Sequence, residues 1–81
     1  MSRNGRDQIE RRLRLFILEE LLEAPYDGVD PLADDVVDSL GYEQLAEYLE
    51  EAFGIRLEDD DMVRENFESL AALASLVEAK S

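Results

Sequence analysis

Three stretches of this chain repeat apolar side chains three or four residues apart, and no stretch alternates apolar with polar for long enough to make a strand. That periodicity confines the fold to packed helices. In the first stretch Ile9, Leu13, Phe16, Ile17 and Leu21 form one stripe, widened by Leu15, Leu18 and Leu22, which predicts a helix over residues 7–24 closed by Pro25. In the second, Leu45, Ala46, Leu49, Ala52 and Phe53 face inward, with Tyr42 beside them, and predict a helix over 39–53. Asp38 is its expected N-cap, and Gly54 suits the left-handed position just past its end. In the third, Leu70, Leu73, Leu76 and Val77 mark a helix over 69–79 capped by Ser69. The acidic run Glu58-Asp59-Asp60-Asp61 supplies a negative first turn for a short helix over 59–65, with Phe67 plugging the space behind it. The expectation is all-α, a small four-helix bundle of three long helices and one short, in a single domain spanning 1–81.

Two connecting features resist a purely local account. Residues 25–37 contain Pro25, Gly28 and Pro31 and show no sustained period, so they read as a long ordered loop pinned to the core by Val29, Leu32, Val36 and Val37. The first helix carries arginines at its start and Glu19, Glu20 and Glu23 at its end, which is the unfavourable order for a helix dipole.

The residue inventory excludes several function classes. With no Cys and no His there is no disulfide framework, thiolate zinc site or cysteine nucleophile, and no imidazole to activate Ser39, Ser69 or Ser75. At 81 residues the chain is also too short to enclose a large active-site cleft, so it is not expected to be an enzyme. Asp59, Asp60 and Asp61 lack the alternating ligands and central glycine of a calcium loop, and a charged helix start is the better reading. No metal is expected.

Charge is unevenly distributed beneath the formal net value of −13. Five of the eight basic residues, Arg3, Arg6, Arg11, Arg12 and Arg14, fall in the first fourteen positions, leaving 3 basic against 19 acidic groups in residues 15–81. Such a surface repels nucleic-acid phosphates and anionic lipid and attracts proteins with basic patches. The apolar run Leu15-Phe16-Ile17-Leu18 stops at Glu19, far short of a membrane span, and the opening residues lack the apolar core of a signal peptide. A cytoplasmic protein, monomeric and with no membrane or nucleic-acid partner, is the expectation.

Asp38-Ser39-Leu40 is the motif that carries chemistry. Taken alone, serine beside aspartate at a helix start reads as capping. Its surroundings add to it: a long loop before, the acidic helix with Glu43, Glu47, Glu50 and Glu51 after, then Phe53-Gly54-Ile55, the acidic turn 58–61 and a final apolar helix. Over residues 8–79 this layout resembles the acyl carrier protein family. The resemblance implies a helical bundle that catalyses nothing itself and carries cargo on a prosthetic group.

On that resemblance Ser39 is the attachment point of 4'-phosphopantetheine, added from coenzyme A by a phosphopantetheinyl transferase. Asp38 matches the residue that assists the transfer, and Leu40 matches the apolar residue that partners contact. Glu43, Glu47, Glu50 and Glu51 fall on the family's docking helix, which meets basic patches on acyl-loading and acyl-transferring enzymes. The resemblance also implies acyl intermediates held as thioesters, on a thiol that a cysteine-free chain does not itself encode.

The chain departs from the family pattern at four positions. Val36 stands where many carriers have glycine, and Gly41 where aspartate is frequent, which predicts a loosened helix start. Glu43 and Glu47 stand where fatty-acid carriers usually present apolar contacts, pointing to an unusually basic partner. The segment 57–70 resembles discrete carriers of specialised pathways, including polyketide assembly. An aminoacyl or peptidyl carrier of a nonribosomal pathway shares the same pattern, and an unmodified acidic helical adaptor would use the same face without a prosthetic group.

Overall fold

The computed structural model describes residues 2–22 and 25–81, with side chains from Gly5 onward. Among these residues the protein is all-helical and has no strand. Helix α1 spans Ser2–Phe16, α2 spans Ser39–Phe53 and α3 spans Leu70–Lys80. The first extends into a π-helical turn, Ile17–Leu21, and two 3-10 turns, Asp59–Asp61 and Arg64–Asn66, link α2 to α3. No described helix is long and apolar enough to cross a membrane.

The core is built from the expected stripes. Leu13 and Ile17 from the first helix, Leu45 and Leu49 from α2, and Leu73 and Val77 from α3 are sealed from solvent, with Leu32, Val37, Ile55 and Phe67 closing the gaps. Helix α1 packs chiefly on α3, while α2 meets the π-turn. Both ends of α2 follow local chemistry. Asp38 Oδ1 accepts the Gly41 amide at 2.8 Å, and Gly54 ends the helix in the left-handed region at φ 64°.

Other expectations change. Helix α1 begins at Ser2 rather than near 7, and helical structure ends at Leu21, before Pro25; the expected end at residues 23 and 24 lies outside the described residues. The wider π-turn lets the Leu22 amide reach the Ile17 carbonyl at 3.1 Å and places Leu21 against α2. Leu15 does not widen the apolar face but is largely exposed. The short helix over 59–65 is replaced by the two 3-10 turns, because Met62 and Val63 leave helical geometry between them.

Tertiary contacts explain the arginines. Arg14 donates to the carbonyls of Gly28 and Val29 at 3.1 and 3.0 Å, Arg6 pairs with Glu78 at 3.3 Å and reaches the Ser75 hydroxyl, and Arg12 lies 4.7 Å from the centre of the Phe53 ring. They fasten α1 to the loop, to α3 and to the end of α2. An unfavourable dipole is offset by bonds between distant segments.

The loop itself is anchored by Asp30, for which the sequence offered no specific role. Its carboxylate accepts the Leu32 and Ala33 amides at 3.2 and 3.1 Å, and across forty positions it also accepts the Leu70 amide at 3.2 Å, at the start of α3. Buried Pro31, Leu32 and Val37 hold the loop from below, whereas Val29 and Val36 are exposed and pin nothing. Tyr26 and Asp34 close the outer bend with a hydrogen bond, and partial burial followed by that bond pushes the Tyr26 phenol up to about 12.

Gly41 is buried, and the helix start is tightly fitted rather than loose. A Cβ there would stand 2.7 Å from Val37 Cγ1, and a buried valine, stiff at χ1, gives way only at a cost. Gly41→Ala should therefore destabilise by about 1 kcal/mol, although helix propensity alone favours alanine by about that amount. A double-mutant cycle with Val37→Ala measures the clash directly; additivity of the two changes would refute it. Asp30→Ala, which orphans three amides, should cost about 2 kcal/mol in urea unfolding with helix content retained, and a loss below about 0.5 kcal/mol would remove Asp30 as the anchor.

Asp61 joins the linker to the end of α3. It bonds Lys80 Nζ at 2.6 Å and the Glu58 amide at 2.9 Å, and these two contacts, Lys80 first, hold its carboxyl below the ordinary value. Asp61 in turn holds the Lys80 ammonium above its ordinary value. The pair's stabilisation is present between 3.8 and 10.5, fading as acid titrates Asp61 through its lowered value and as base titrates Lys80 through its raised one. The melting-temperature gap between wild type and Lys80→Met should be widest near neutrality and close at both extremes; a gap independent of pH would contradict this pairing.

Candidate functional site

The site begins with how the first turn of α2 is satisfied. Asp38 takes the capping role through Gly41, and the Asp38 carbonyl accepts the Tyr42 amide at 3.1 Å. Ser39, the first helical residue, is thereby relieved of capping. Its hydroxyl makes no hydrogen bond among the described residues, and the residue is exposed. Ser69 provides the contrast, since its Oγ is occupied by the Ala72 amide at 3.0 Å. At the starts of α2 and α3, the Ser69 hydroxyl is structural and the Ser39 hydroxyl is free among the described residues.

Ser39 opens onto a groove of about 890 Å³ between α2 and the linker to α3. Tyr42 and Glu43, one turn along α2, share its wall; Ala33 and Asp35 close the loop end; Met62, Val63, Arg64 and Phe67 form the opposite side. Tyr42 meets Phe67 edge to face with ring centres 6.0 Å apart, which fixes the groove's floor to the core. Asp35 adopts a left-handed backbone at φ 59°, tolerable for aspartate, where the loop turns into the groove. Burial first, then the Asp35 carboxylate, pushes the Tyr42 phenol up, while the Arg64 guanidinium pulls it back.

The remaining residues singled out from the sequence divide by role. Leu40 is 61% exposed beside Ser39, and Val36, Met62 and Val63 are also exposed apolar side chains. Glu43, Glu47 and Glu51 are exposed and recur every four residues along α2. Glu50 is exposed but committed, because its Oε2 accepts the Leu57 amide at 2.8 Å and fixes the chain after Gly54. Tyr48, further along α2, is turned to the core side: it stacks on Phe16 at 4.1 Å between ring centres and meets Phe53 edge to face.

Arg64, Met62, Val63 and Asp35 were not picked out as site residues from sequence. One signal was present for Arg64, which is one of only three basic residues beyond position 14. The others depend on chain reversals that spacing does not reveal. Comparisons with family models, with curated proteins and with solved structures give no match.

The division of labour between Asp38 and Ser39 is measurable. Ser39→Ala should change unfolding free energy by less than about 0.5 kcal/mol, whereas Asp38→Ala and Ser69→Ala should each cost about 1 kcal/mol. Equal losses at Ser39 and Ser69 in denaturant titrations would show that the Ser39 hydroxyl is structural after all.

Proposed function

We propose that this protein is a carrier of the acyl carrier type, whose Ser39 hydroxyl takes 4'-phosphopantetheine and whose α2 face presents the bound cargo to biosynthetic enzymes. The observation that carries the reading is the free Ser39 hydroxyl beside an aspartate that already serves as cap. Because Asp38 already caps the helix, the Ser39 oxygen is left accessible, as an attachment point requires. The donor set fits the group: an exposed hydroxyl, and a groove alongside it that apolar Met62 and Val63 help to line. When bound, 4'-phosphopantetheine supplies a thiol that carries an acyl group as a thioester.

In this reading the protein is a small four-helix carrier bundle in which the paired 3-10 turns take the place of the short helix. Asp38 fixes the backbone at the attachment point and assists the transferase. Leu40 offers an apolar contact at the start of α2, followed along the exposed helix by the carboxylates of Glu43, Glu47 and Glu51, while Glu50 contributes charge from a position held by Leu57. Partners are then a phosphopantetheinyl transferase and acyl-transferring enzymes with basic docking patches. The acidic positions at 43 and 47 favour polyketide-type or other specialised biosynthesis over general fatty acid synthesis.

Incubation with coenzyme A, Mg²⁺ and a broad-specificity phosphopantetheinyl transferase should add one phosphopantetheine to wild type and none to Ser39→Ala, read by intact mass. Modification of both proteins, or of neither while a known carrier is modified in parallel, would overturn the assignment.

A further inference from the structure

A phosphodiester at Ser39 would add negative charge next to Asp38 in sequence and in a groove that Asp35 and Glu43 already line. Most of the described cations are engaged elsewhere: Lys80 with Asp61, Arg6 with Glu78, Arg14 with loop carbonyls and Arg12 over Phe53. Arg64 differs from them. It lines the Ser39 groove, is exposed, and among the described residues forms no ion pair, although Asp35, Glu43 and Glu68 line the same space. We propose that Arg64 is the anion-holding residue of this site, its guanidinium bridging the groove to the phosphodiester oxygens of the group on Ser39.

The inference rests on the carrier reading and adds to it a residue that no feature of the Asp38-Ser39-Leu40 motif indicates. A guanidinium presents paired donors that match two non-bridging phosphate oxygens, which a lysine ammonium reproduces in charge but not in geometry. The position is consistent with the field that Arg64 exerts on Tyr42, whose side chain stands one helical turn from Ser39 on the same face. Arg64 also opens the second 3-10 turn, directly after extended Val63, so holding the phosphodiester would tie the linker wall to the attached arm. The arm would then be oriented at its root while its thiol end stayed free.

The test uses the full chain in unmodified and modified forms, with the phosphorus resonance of the attached group and the Nε–H resonance of Arg64 as readouts. In modified wild type the Arg64 signal should move while that of exposed Arg11 stays in place. The phosphorus resonance should differ between wild type and Arg64→Gln, with Arg64→Lys intermediate, and the difference should shrink in about 1 M NaCl. Modification should also raise the melting temperature of wild type by about 1–5 °C more than that of Arg64→Gln. An unmoved Arg64 signal with identical phosphorus resonances in all three proteins overturns the role of Arg64 and leaves the carrier reading standing. Failure of wild type to accept the group at all overturns both.

Discussion

The carboxylate of Asp30 is the constraint from which the rest of the architecture follows. The long loop over residues 25–37 leads into α2, and short-range contacts alone would leave it many conformations. By accepting the Leu32 and Ala33 amides it shapes the turn, and by accepting the Leu70 amide it fixes that turn to the start of α3. The loop then delivers Val37 into contact with Gly41, Asp38 into the cap and Ser39 into solvent. At the other end of the same bond, α3 holds Ser69 and the preceding Phe67 where they line the groove. A hydroxyl at one helix start is thus positioned by a bond to the start of another.

Those parts of the fold governed by local chemistry were readable from sequence. Asp38 and Gly54 mark both ends of α2, and Ser69 marks α3, because a cap or a left-handed glycine acts within four residues of its position. The end of the first helix was not readable, since a π-turn is stabilised by seating Leu21 against Gly41 and Ile17 in the core. The acidic run at 58–61 does start a helical turn, closed by a capping box between Glu58 and Asp61, but the backbone departs from helical geometry at Met62 and Val63 and the turn does not propagate. Gly41 was misread for a different reason: its small size answers to the Val37 side chain four residues back, a steric fit that helix propensity does not report.

The candidate site was legible to a similar degree. Ser39, Asp38, Leu40 and the glutamates of α2 lie on one continuous helix, so the motif and its periodicity place them together. Arg64, Met62 and Val63 reach the groove only because the linker doubles back, and Asp35 only because Asp30 bends the loop. In the proposed reading, charge gives the two sets complementary roles. The carboxylates of α2 present a surface suited to a basic partner, while the unpaired arginine across the groove is suited to a single anion at Ser39. An acidic adaptor would need the first feature and would have no use for the second.

The most direct test is the state of Ser39 in protein isolated from its own cells. Cleavage after arginine releases the peptide Leu15–Arg56, in which Ser39 is the only serine and threonine is absent, so its mass reports on that hydroxyl. The account predicts a peptide carrying one phosphopantetheine, free or acylated, with the sulfur-containing arm ejected on fragmentation. A peptide found solely at its unmodified mass, from cells in which other carriers are modified, would contradict it.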